Sequence, residues 1–204
     1  MSPEISPEKE RLSQDEELRA RIISAAIRRF SYFGIQKTTL AEIADDTNIP
    51  RHTLNELFPD KSSLIKAAEE EVVADYLGKL HAIHFPEGEV PGSLKMFVDI
   101  RLAFFEKYFM LINQKDNIPF FEWAEYLNHV INNVRQKEIE FVSGILQNVG
   151  TDAKRVAETI LKALYAMETA FRVSIPIPSS DDFLKLKEEE LNLVSLFYNG
   201  IKHS

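Results

Sequence analysis

Apolar residues recur along the chain at spacings of three and four, the period of an amphipathic helix. Between Glu16 and Phe33 they are Leu18, Ile22, Ile23, Ala26, Ile27, Phe30 and Phe33. Gly34 then stands where a helix end calls for a left-handed residue. Thr39 opens a second, short helix with the apolar positions Leu40, Ile43 and Ala44, and Glu42 lies three residues on, the spacing of a capping box. That helix ends near Asn48. Pro50 starts a third short helix carrying Leu54, Leu57 and Phe58, and Asp60 or Ser62 caps a longer one reaching Ile83. After the breaker cluster HFPEGEVP, amphipathic segments are predicted over 92–112, 119–148, 152–174 and 181–200. NQKDNIP, NVGTD and IPIPSSD separate them. No stretch alternates as a strand does, so the pattern predicts an all-α fold of about nine helices.

Composition narrows the function classes. Of 204 residues, 45% are hydrophobic and 27% charged, the balance of a globular protein. The absence of cysteine excludes disulfides, thiolate metal sites and thiol nucleophiles. Residues 1–13, with Pro3 and Pro7, read as a flexible polar tail without the apolar stretch of a secretory signal. No apolar run is long enough for a membrane span, so the expected location is the cytoplasm.

The net charge of -8 is unevenly spread. Residues 1–18 hold two basic and six acidic side chains (-4), and 19–62 hold seven basic and five acidic (+2), leaving -6 for the remainder. Such a division lets the segment 19–62 approach a polyanion, because the acidic part is screened beyond roughly 10 Å.

Three short helices, the last two joined by a tight turn, are the geometry of a helix-turn-helix that reads DNA. In Ile43–Phe58, Ile43 and Ala44 pack inward, and Asp46–Ile49 make the turn. Asn48 takes the left-handed position, and Ile49 is expected as a buried plug. Arg51, His52, Thr53, Asn55 and Glu56 then fall toward the outer face of the third helix. Arg51, near its N-terminus, can reach base edges, guanine most readily.

Residues 21–65, RIISAAIRRFSYFGIQKTTLAEIADDTNIPRHTLNELFPDKSSLI, resemble the N-terminal signature of TetR-family transcriptional regulators. The matching features are the alanine pair with Phe30, Gly34, Thr38-Thr39 with Ile43-Ala44, and Thr53-Leu54 with Phe58, Lys61 and Leu64. The resemblance implies that Thr39 contacts phosphate, that Arg51, His52 and Thr53 face the major groove, and that Lys61 contacts the DNA backbone. Three positions depart from the family pattern. Asn48 replaces a turn glycine, Asn55 replaces a tyrosine but can still bond phosphate, and Leu57 replaces a histidine. The implied organisation is a DNA-binding domain over 14–62 and a ligand-binding, dimerising domain over 63–204.

Nine aromatics lie between Phe97 and Tyr126, including Phe105, Tyr108 and Trp123. An aromatic wall with a few polar groups suits a small-molecule pocket, although aromatics at helical spacing also build ordinary cores. Arg101 interrupts the apolar face Leu94, Phe97, Val98, Phe105, Tyr108, Ile112. It reaches water, pairs with a carboxylate or meets an anionic ligand. Glu168, with Tyr165 on its face and Arg172 at i+4, is a second polar candidate or a plain surface pair. His81 and His84 are three apart but lack a third ligand, so no metal is expected. No nucleophile motif or cofactor cradle is recognisable, so neither catalysis nor a cofactor is expected. The last helix carries more apolar residues than one face needs, and with the 152–174 helix it suits a homodimer interface. These features together point to a dimeric regulator, a repressor released from an operator by a small hydrophobic or amphipathic ligand. The rival reading is a dimeric small-molecule-binding protein whose helix-turn-helix no longer reads DNA.

Overall fold

The computed structural model describes residues 7–83, 88–113, 120–149 and 152–202, with 7–13 and 120–128 described by backbone alone. Among these residues there are nine helices and no strand. They are α1 (Pro7–Phe33), α2 (Leu40–Thr47), α3 (Arg51–Leu57), α4 (Lys61–His81), α5 (Val90–Lys107), α6 (Phe109–Ile112), α7 (Phe120–Leu146), α8 (Ala153–Ser174) and α9 (Ser180–Lys202). The all-α architecture is the one the apolar period predicts.

Two boundaries differ from the expectation. Helix α1 begins at Pro7 instead of Glu16, because the intervening residues are mostly good helix formers and Pro7 suits a first helical position. The segment expected as one helix over 92–112 breaks at Tyr108 (φ -110, ψ 15), whose carbonyl accepts from both Leu111 and Ile112. One residue leaving the helical region hardly disturbs the side-chain period, so the apolar face reads as continuous across it.

The chain divides into two compact units. The first runs to Ala74 and takes in the stretch that begins at Tyr108, which contains α6. In it α1 packs on α2 and α6, and α2 packs on α3. Ile22, Ala25, Ala26 and Phe30 of α1 meet a core that includes Ile43, Ala44, Leu54 and Phe58. The alanines let backbones approach closely, which is why small residues stand there. Arginines of α1 lock this packing. Arg29 forks onto Asp46 (2.6 and 2.8 Å) and reaches Glu42 (3.2 Å), and Arg21 donates to the Thr47 carbonyl (2.8 Å). Arg19 lies 4.4 Å over the Phe58 ring.

The second unit starts at Asp75 within α4 and holds α5, α7, α8 and α9. Here α7 packs on α8, α9 on α5 and α8, and α5 on α7. Leu94, Phe97, Val98, Leu164, Leu186 and Val194 are among its buried residues. Phe105, Phe171 and Phe183 meet ring to ring at 5.1–6.1 Å, edge-on or tilted, the arrangement aromatic quadrupoles favour. No helix among the described residues is long and apolar enough to cross a membrane.

Candidate nucleic-acid interface and ligand site

The turn between α2 and α3 is built by local chemistry. Thr39 accepts from the Glu42 amide while the Glu42 carboxylate accepts from the Thr39 amide (2.7 Å), so the capping box is complete and α2 starts at a fixed point. At the other end Asn48 takes the left-handed conformation (φ 53) and its amide bonds the Ala44 and Asp45 carbonyls. The Ile49 amide follows onto Ala44 (3.1 Å). Asparagine tolerates this region where a β-branched residue would be strained. Ile49 is half-buried, not the fully buried plug expected from sequence, and Leu54 and Phe58 fill that role. Pro50 (φ -62, ψ 143) sits just before the first turn of α3, where its missing N–H costs no helical bond.

Arg51, His52 and Asn55 are exposed on α3, and Thr53 is half-buried. Thr39 is also exposed, but its hydroxyl donates to Glu42 (2.8 Å). The Lys61 ammonium donates to the Ile35 carbonyl at 2.5 Å, and its pKa is lowered by partial burial. Asp60, rather than Ser62, caps α4 by accepting from the Ser63 amide (2.7 Å).

In the second unit Arg101 is buried and meets three carboxylates. Glu168 lies at 2.5 Å, Glu138 at 3.3 Å and Glu190 at 3.5 Å. Burial alone would lower the Arg101 pKa, but these neighbours raise it further above its ordinary value. Tyr76 donates to Glu138 at 2.5 Å, and the Tyr165 hydroxyl donates to the other oxygen of the same carboxylate. Burial first, and Glu138 second, push both phenols above their usual range. Burial lifts the Glu168 carboxyl to about 6 against the pull of Arg101, and lifts Glu190 to about 8. Among the alternatives open in the sequence, Arg101 therefore pairs with carboxylates, and Glu168 pairs with Arg101 across helices. Its Nε, Nη1 and Nη2 each lie 2.5–3.3 Å from a protein carboxylate oxygen.

The remaining ligand candidates part company. Phe105 is buried in the ring cluster, and Tyr108 is buried in the first unit with Phe109 and Leu111. Trp123 lies outside the residues whose side chains are described. Tyr165 lies at the wall of an open groove of about 870 Å³ between α7 and α8, with Arg135, Ile139, Leu161, Ala166 and Ala170. His81 bonds the Leu77 carbonyl (2.7 Å), and His84 lies outside the described residues.

Residues 22–68 match the family model described as bacterial regulatory proteins, tetR family. That stretch spans α2, α3 and the adjoining parts of α1 and α4, so the head is similar in sequence to the DNA-binding region of that family. Solved structures extend the likeness over the fold of the rest of the chain. A transcriptional regulator from Cytophaga hutchinsonii is 23% identical with a TM-score of 0.74, over 88% of this chain and 95% of that one. A TetR-family regulator from Streptomyces coelicolor is 20% identical with a TM-score of 0.68, over 89% and 79%. A regulator from Saccharomonospora viridis, solved in complex with choline, is 15% identical with a TM-score of 0.64, over 88% and 96%. No curated protein matches the sequence.

Sequence reasoning missed Glu138, Glu190 and Tyr76. A signal existed for Glu190, which continues the face Phe183, Leu186, Val194 at helical spacing. It was hidden in a run of three glutamates, where a charge usually means a solvated face.

Proposed function

We propose that the chain is a cytoplasmic, homodimeric, sequence-specific DNA-binding repressor that leaves its operator when a small hydrophobic or amphipathic ligand binds the body. The observation that carries the DNA reading is the α2–α3 turn. It presents Arg51, His52 and Asn55 outward from a short helix whose other side is anchored by Leu54 and Phe58. In this reading Arg51, His52 and Thr53 address base edges, and Thr39, Asn55 and Lys61 address phosphates. The domain division is DNA binding over 14–62 and ligand binding and dimerisation over 63–204.

Dimerisation is supported by apolar residues left open on the last two helices and the loop between them. Val173 is 64% exposed, Ile177 86% and Leu196 72%. Two heads are also what a two-fold operator requires. Ligand sensing is supported by the aromatic body and by the choline complex of the Saccharomonospora viridis regulator, whose fold is similar. With Arg101 matched by carboxylates, the ligand of this chain is expected to be apolar or amphipathic without an acid group addressed to that arginine. Ligand and operator are linked by differential affinity for two arrangements, and α4 is one continuous helix shared by both units.

Selection of random duplexes followed by binding at graded salt tests the reading. Arg51→Ala is expected to weaken the selected duplex by about 1–3 kcal/mol and relax preference at one base pair. Lys61→Ala is expected to weaken all duplexes alike. Enrichment of no sequence, with no salt-dependent binding, would overturn DNA reading. The rival function, a dimeric ligand-binding protein with a silent head, would then stand. One observation favours that rival: the Thr39 hydroxyl and the Lys61 ammonium, both expected on phosphate, are engaged within the head.

A further inference from the structure

The body core holds more acid than one guanidinium neutralises, and the donors are unequally shared. Glu138 receives the hydroxyls of Tyr76 and Tyr165 and lies 3.3 Å from Arg101 Nε. Glu168 receives two Arg101 nitrogens, Nη1 at 2.5 Å and Nη2 at 3.0 Å. Glu190 has only Arg101 Nη1 at 3.5 Å, a nitrogen that already faces Glu168. It is 0% exposed, and neither of its carboxyl oxygens accepts a hydrogen bond.

Among the described residues, no other cation is paired with Glu190. Lys187, one turn before Glu190 on α9, has its ammonium on Asp99 of α5 at 2.8 Å. Arg135 of α7 lies over the Tyr165 ring at 4.5 Å, and Arg101 lies over the same ring at 4.6 Å. Arg172 of α8 acts on Glu168. If all three acids were ionised, the cluster would carry two uncompensated negative charges in a buried site, which is costly. One proton halves this deficit, and it belongs on the acid with the fewest donors.

We propose that Glu190 is a proton-binding site. α9 closes over a carboxyl that is neutral at physiological pH, and its deprotonation in alkaline solution drives α9 away from α5 and α8. Burial, which lifts this carboxyl to about 8 from an ordinary value of 4.5, agrees with that geometry. The sign follows from linkage. The folded chain binds the proton more tightly than the unfolded chain, so the stabilisation is complete below about pH 4.5, falls as pH rises, and is gone above about pH 8. Glu168, lifted to about 6, adds a drop at lower pH. The window between pH 6.5 and 8.5 is therefore dominated by Glu190. The inference is independent of what the head binds.

Thermal unfolding of the full chain from pH 6.5 to 8.5 tests it, beside carboxyl NMR with 13C-labelled glutamate. The wild type should lose Tm steadily across the window. Glu190→Gln, which mimics the neutral acid in shape, should flatten the profile and exceed the wild type at pH 8.5. Any slope from groups that do not touch Glu190 is common to both proteins and cancels in the comparison. One glutamate carboxyl should titrate near pH 8 in the wild type and be missing from the variant. A wild-type Tm that is constant over the window, or an equal slope in Glu190→Gln, would overturn the proposal. If the glutamine variant does not fold, Glu190→Leu and the wild-type spectrum decide. The absence of any carboxyl titrating above pH 7 is then the overturning result.

Discussion

Arg101 is one arginine in an apolar stripe, and its surroundings decide what it does. From the stripe alone it could reach water, a protein acid or a ligand. The structure surrounds it with Glu138, Glu168 and Glu190, with side-chain exposure at 4%. Removing one member of a buried ion cluster leaves the others uncompensated, which costs about 3–5 kcal/mol. Arg101→Leu is therefore expected to destabilise the body by that amount, measured by urea unfolding at pH 7.5. Acidification should recover part of the loss, because the remaining carboxyls of the folded chain then take up protons more readily than those of the unfolded chain. A variant as stable as the wild type at pH 7.5 would mean that the cluster is not held together by Arg101.

Among elements, α2 illustrates how far local sequence reaches. Its capping box, its left-handed end at Asn48 and the outward position of Arg51 on the next helix all follow from residues within a few places of one another. Thr39→Ala should cost about 1 kcal/mol of stability through loss of the cap. Equilibrium unfolding reads this directly, and it should be independent of any DNA added. If instead the variant keeps full stability and loses only DNA affinity, the hydroxyl is spent on phosphate and not on Glu42. The α5–α6 break at Tyr108 marks the limit of such reasoning, because an interruption of one residue leaves the apolar period intact.

For the whole molecule, assembly turns on the exposed apolar residues of α8 and α9, Val173, Leu184 and Leu196 among them. Of the apolar residues on the last helix, Val194 is buried within the chain itself, and Phe197 is half-buried. A charge at Val194 would damage the core and say little about assembly. Leu196, at 72% exposure, is the better probe. Leu196→Glu should keep helical content and Tm nearly unchanged at low concentration while shifting sedimentation from dimer to monomer. A wild type that sediments as a folded monomer at micromolar concentration would remove the dimer from the proposal.

The amino-acid sequence by itself determined the helical period, the α2 capping box, the turn and the likeness of the head to the tetR family model, because each depends on interactions within about four residues or on a gap-free register of contiguous positions. Tertiary structure alone decided the partners of Arg101, the isolation of Glu190 and the engagement of Lys61 with the Ile35 carbonyl. Those depend on which faces of distant helices meet. Arg101 and Glu168 are 67 positions apart, and no local rule relates a charge on α5 to acids on α7, α8 and α9. Burial then converts that meeting into chemistry, since the same glutamate that would be an ordinary solvated charge on an isolated helix becomes a proton-holding acid once water and donors are excluded from it.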